Sequence, residues 1–159
     1  MMKLIFRYIM MSLAGLLSLT GCYEEPDLFE ELLVSNGKVA QIAVVWLGNA
    51  KVYNAAGVLQ TTTTVDSLTQ VNVNIEYTSE VAVREFRVYS APTSSGEQTL
   101  LATVPAGAQQ YDPELRNYVI KVPITAPKGR NVTSVIFAEV VAENALASSK
   151  KSATLKTNP

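Results

Sequence analysis

The chain has 159 residues, 13 basic and 14 acidic side chains, a net charge of −1, no histidine and a single cysteine. A balance this even, with no Lys/Arg cluster, excludes a nucleic-acid surface, which needs grouped cations to meet phosphates. Without histidine the usual general base and metal ligand near neutral pH is missing, and one cysteine makes no intrachain disulfide, so an ordinary hydrophobic core must hold the fold.

Lys3 and Arg7 precede an apolar run through Leu13, Ala14, Leu16, Leu17 and Leu19. This is the basic and hydrophobic layout of a secretory signal. A spanning helix needs about 20 apolar residues, and this run is shorter and broken by Arg7 and Ser12. It ends in Leu19-Thr20-Gly21-Cys22, an aliphatic residue, two small ones and a cysteine, which resembles the lipobox of bacterial lipoproteins. The resemblance implies a signal peptide over residues 1–21, cleavage between Gly21 and Cys22, and acyl chains on Cys22. A thiol suits this because its thiolate is the most readily alkylated side chain. Two or more acyl chains make a stable anchor, at about 0.8 kcal/mol per buried methylene. Loss of Lys3 and Arg7 leaves 11 basic against 14 acidic residues, a net charge of −3.

Residues 22–38 read as a lipidated acidic tether. Tyr23-Glu24-Glu25-Pro26-Asp27, with Glu30 and Glu31 behind it, resembles the surface-export signal of Bacteroidota lipoproteins. That implies Glu24, Glu25 and Asp27 as the export signal and a lipid-anchored, cell-surface position on the outer membrane. Leu28 with Leu32 and Phe29 with Leu33 have helical i, i+4 spacing, and Ser35-Asn36-Gly37 supplies a stop.

From Val39 the chain is rich in strand formers bounded by turn residues. Val39 to Leu47 opens the domain, with Trp46 in this first strand. Leu59 to Val65 is Thr-rich and polar, as an edge strand is. Val71, Val73, Ile75 and Tyr77 alternate with Asn72, Asn74 and Glu76 and predict a half-buried strand. Arg84 to Ser90 repeats the pattern, followed by Thr99 to Val104 and by a strand at Tyr118, Ile120 and Val122 that Pro123 should end. Thr133 to Ala142 is apolar on both faces and therefore central, and Ser148 to Lys156 closes the chain.

The last hairpin, Val140-Val141-Ala142-Glu143-Asn144 followed by Ser148-Ser149-Lys150-Lys151-Ser152-Ala153, resembles the closing strands of fibronectin type III and related immunoglobulin-like modules. The run from Val71 to Tyr89 is similar to modules of Bacteroidota surface lipoproteins, including those of glycan-utilisation loci. Together with the short strands, this makes residues 39–159 an all-β domain, an immunoglobulin-like β-sandwich of about seven strands.

For chemistry the inventory is thin. The serines show no nucleophile elbow. The nearest carboxylate pair, Asp112 and Glu114, sits in a Tyr111-Asp112-Pro113-Glu114 turn that reads as a solvated loop. No dense Asp/Asn series marks a calcium site. The expectation is therefore a chain that is not an enzyme and needs no cofactor or metal. Asp66-Ser67-Leu68 resembles the loose O-glycosylation motif of Bacteroidota, with Ser67 as acceptor. Two functions remain: a structural or protein-interaction module of the envelope, or a glycan-binding accessory lipoprotein of a polysaccharide-utilisation system. In the second, Tyr53, Tyr89, Tyr111 and Tyr118 are the rings available to stack on sugars. Cys22→Ala is expected to abolish acyl labelling and leave unprocessed precursor, and a variant that still labels and fractionates with membranes would refute the anchor.

Overall fold

Segments with apolar side chains at every second position bury one face when extended, and the sequence does this repeatedly. The computed structural model describes residues 37–159. The signal peptide and most of the tether, including Gly21, Cys22, Glu24, Glu25 and Asp27, lie outside the described residues. Among the described residues nine strands form: β1 (Gln41–Leu47), β2 (Thr62–Val65), β3 (Gln70–Thr78), β4 (Val83–Ala91), β5 (Thr99–Pro105), β6 (Gln110–Asp112), β7 (Asn117–Thr125), β8 (Thr133–Ala142) and β9 (Lys151–Thr157).

They build two sheets, in the orders β1-β3-β7-β6 and β2-β9-β8-β4-β5. Pairing is antiparallel except between β2 and β9. The first order matches the A-B-E-D sheet of an immunoglobulin domain, and β9-β8-β4 matches its G-F-C sheet. The fold is thus the expected immunoglobulin-like sandwich, with β2 and β5 added at the edges of the second sheet. The strands number nine rather than about seven. The strand absent from the sequence pattern is β6, only three residues long and hidden in a stretch whose Asp112-Pro113 reads as turn.

Val45, Val73, Ile75, Ile120 and Val122 from the first sheet face Phe86, Val88, Ile136, Val140 and Leu155 from the second, all buried. The Thr-rich strand is an edge, as its polarity required. β8 lies between β4 and β9 and buries Val141 as well as Val140, as a central strand does.

Two expectations need correction. Pro123 does not end its strand: β7 continues to Thr125, with Pro123 opposite Asn72. The Ala126 N–H donates to the Thr69 carbonyl, so by antiparallel alternation the Pro123 nitrogen points away from β3. On that side β6 reaches only Asn117–Val119, so no ladder bond is lost. The second correction concerns β3, which is not half-buried: Asn74 is 0% and Glu76 4% exposed. Their outer face is closed by groups from neighbouring strands and from the β1–β2 connection.

Tyr77 sits at the end of β3, 1% exposed and edge-on to Phe86 with ring centroids 5.2 Å apart. Burial, with Tyr118 beside it, pushes its phenol up to about 12. The folded state then holds the neutral form above the unfolded pKa of about 10, so this contribution to stability is intact below pH 10 and falls as pH rises towards 12. Tyr77→Phe is expected to lose less stability than the wild type between about pH 9 and about pH 11 in denaturant unfolding. Equal losses would exclude Tyr77 as a titrating group.

Candidate functional site

An open sheet leaves a row of unpaired N–H and C=O groups at each edge, and the sandwich has four edges to manage. β2 is short and polar, and its Thr63 hydroxyl donates to the Leu47 carbonyl at 3.3 Å. β6 has three residues. β1 packs against β9 and buries Val45, Trp46 and Leu47. β5 has none of these protections. It runs seven residues without a charged side chain, and Leu100 and Leu101 are 52% and 44% exposed.

The direction of its backbone follows from one bond. Ala106 N–H donates to the Arg84 carbonyl at 3.0 Å, directly opposite, so Val104 and Ala102 turn their polar groups to β4 while Thr103 turns its N–H and C=O to the free side. A register shift between Val88 and Tyr89 leaves Leu101 bulged.

Beside this edge, the outer face of the second sheet carries a polar network. Arg87, opposite Thr103, donates through Nε to Glu85 Oε1 at 2.8 Å, and this bond holds the Glu85 carboxyl below its usual range. Tyr89 donates its hydroxyl to Glu139 Oε2 at 2.8 Å. Lys150 places Nζ 3.8 Å from the centre of the Tyr89 ring and donates to Gln98 at 2.7 Å. One face of Tyr89 is therefore capped by a cation and its hydroxyl is engaged.

The other tyrosines named from the sequence do not join it. Tyr118 stacks on Tyr77 with centroids 5.6 Å apart and planes at 26°. Tyr111, exposed on β6, meets Tyr118 at 5.0 Å but is tilted by 55°. Tyr53 is exposed in the β1–β2 connection, bridged to Leu59. The structure thus brings Tyr111 and Tyr118 together without making them coplanar, leaves Tyr53 outside both sheets in the β1–β2 connection, and puts Tyr89 on the other sheet. Ser67 is exposed, and its hydroxyl donates to the Pro127 carbonyl at 3.3 Å while accepting from Gly129 N–H at 2.9 Å. Asp112 Oδ1 accepts from the N–H groups of Glu114 and Leu115 at 2.9 and 3.1 Å, so its side chain is occupied in building its turn. Among the described residues no group of three His, Cys, Asp or Glu could hold a metal.

A second feature has no signal in the sequence pattern. On the outer face of the first sheet, Glu76 accepts from Trp46 Nε1 at 2.9 Å and pairs with Lys51 Nζ at 2.6 Å, while Asn117 Nδ2 lies 3.4 Å away. Asn74 Nδ2 donates to the Gly48 carbonyl at 2.8 Å. Lys51 comes from the β1–β2 connection, which strand periodicity does not describe, so nothing in β3 alone signals that its polar face is covered. Beside Trp46, a groove of about 300 Å³ is lined by Val52, Gln60, Thr62, Thr63 and Thr64. The Thr run was visible in the sequence; its meeting with Trp46 was not.

No protein-family model and no curated protein matches the chain. Among solved structures, the chain is similar to a Niemann-Pick type C2 protein from the Japanese carpenter ant, at 11% identity and TM-score 0.48, covering 76% of this chain and 93% of that one. It is also similar to an AA10 lytic polysaccharide monooxygenase from Streptomyces lividans, at 18% identity and TM-score 0.41, covering 67% of this chain and 63% of the other. A chitin binding domain from Burkholderia pseudomallei is similar at 11% identity and TM-score 0.39, with 61% of this chain and 56% of that one covered. Of the latter two proteins, the match spans less than two thirds of the length.

Proposed function

We propose that this chain is a lipid-anchored, non-catalytic module of the bacterial outer-membrane surface that makes protein contacts by adding a strand to β5. The observation that carries the reading is the contrast between that edge and the other three: β5 is long, uncharged and studded with exposed leucines. Main-chain bonds to an added strand supply affinity, and the side chains on either side of it supply selectivity. Leu100 and Leu101 offer apolar contact there, and the Arg87–Glu85 pair flanks it. The Leu19-Thr20-Gly21-Cys22 lipobox supports the anchor, and the acidic residues Glu24, Glu25 and Asp27 support surface display. A photo-crosslinking amino acid at Leu101 of the full chain is expected to give protein adducts in intact cells, well above the same probe at exposed Lys121. Equal or absent adducts at Leu101 would overturn strand addition.

The groove beside Trp46 favours a second reading, a glycan-binding accessory lipoprotein of a polysaccharide-utilisation system. Its lining is neutral, with Gln60 and three threonines beside Trp46, Leu47, Ala50 and Val52, a mix of polar and apolar side chains that suits a sugar. In this reading the full chain binds members of a broad glycan array, and Gln60→Ala with Thr62→Ala weakens that binding at least tenfold. No binding by the wild type removes this reading and leaves strand addition standing.

A further inference from the structure

Resting on the strand-addition reading, we infer that the strand added at β5 is β5 of a second copy of this chain, paired antiparallel about a two-fold axis at Thr103. A two-fold interface presents the same patch on both partners, so the patch must be complementary to itself. The backbone phase selects the register. In an antiparallel ladder, residues that face each other with outward N–H and C=O exchange two hydrogen bonds, and Thr103 turns both groups to the free side between the bulged Leu101 and Pro105, which has no N–H to offer. Placing the axis there pairs Thr103 with its own copy.

The remaining pairs follow from the register. Ala102 meets Val104, Leu101 meets Pro105 and Leu100 meets Ala106, each contact occurring twice. Apolar therefore faces apolar in these three pairs. Thr–Thr pairs across strands are themselves favourable, and like charges directly opposite are what usually prevents an edge from pairing with itself. The first charged side chain outward, Glu97, meets Gln109, so no like charges oppose.

The same register limits strength. Pro105 has no N–H, so the pair it forms with Leu101 supplies one bond where two are normal. The bulge at Leu101 shortens the straight part of the strand further. A contact this small belongs with weak, reversible interfaces. Anchoring both copies in one membrane raises their effective concentration and lets a weak contact form. Pairing should therefore rise with surface density on the membrane and be slight for the detergent-dispersed chain.

The test is disulfide trapping of the full chain in native membranes. At a hydrogen-bonded antiparallel pair the Cα atoms lie about 5.5 Å apart, within disulfide reach. Thr103→Cys is expected to give a covalent dimer under mild oxidation. Thr99→Cys, also exposed on the same strand, stands roughly 26 Å from its own copy in this register and should give at least tenfold less. The wild type reports any free thiol left at Cys22. Equal trapping at Thr103 and Thr99, or none at Thr103, overturns the second copy. The adducts from the Leu101 probe separate the two claims: adducts of foreign mass only defeat the second copy and keep strand addition, whereas no adducts defeat both.

Discussion

The structure depends on the burial of aliphatic side chains between two sheets that no disulfide joins. Antibody domains tie strand B to strand F with a disulfide. Here the corresponding strands, β3 and β8, carry Val73, Ile75, Ala138 and Val140 instead. Each buried Val or Ile is worth roughly 1.5–3 kcal/mol relative to exposure, so the set has to be well packed to stand in for a cross-link. This fits a chain whose single thiol would be consumed by an acyl anchor. Among the described residues, Tyr77 is the ionisable group buried deepest in this core, with the partly buried Tyr118 stacked on it, and the dry surroundings hold the Tyr77 phenol neutral.

What periodicity could see and what it could not divide along this core. Inner faces were legible because Val73, Ile75 and Tyr77, or Phe86 and Val88, repeat at two residues whatever lies outside them. The outer face of β3 was not, because Asn74 and Glu76 look solvated in one strand and are covered only when Trp46, Lys51 and Asn117 arrive from elsewhere in the chain. Pro123 misled for a related reason: a proline ends a strand only where its missing N–H is needed, and that depends on how far β6 extends. The tyrosines, chosen for being aromatic, scattered because sequence spacing does not tell which sheet a strand joins. Tyr89 and Tyr118 each fit their strands, yet they lie on different sheets.

The Glu76 cluster shows how a buried charge can be held by partners from other elements. Its carboxylate has a cation at 2.6 Å and an indole N–H at 2.9 Å, so the desolvation that costs an isolated ion is offset by donors already in place. The same bonds tie the β1–β2 connection to the first sheet through Lys51 and fix the orientation of Trp46, which lines the groove with Val52 and Gln60. A neutral groove of fixed shape is therefore a by-product of satisfying one acid.

Edge protection sets the functional argument. A domain that faces solvent with open sheets risks pairing with any strand it meets, and three of the four edges here are short, polar or packed. Leaving β5 uncharged would be a hazard for a protein free to diffuse, because self-pairing through a strand edge has no natural stop except closure by symmetry. Two features supply the stop. The two-fold register at Thr103 uses β5 once per copy, and β2 at the other edge of the same sheet is too short and too polar to continue a filament. Pro105 and the bulge at Leu101 then keep the pair weak enough to exchange. Strand addition becomes a property of crowding on a surface rather than of affinity in solution, which is the condition a lipid anchor at Cys22 would create.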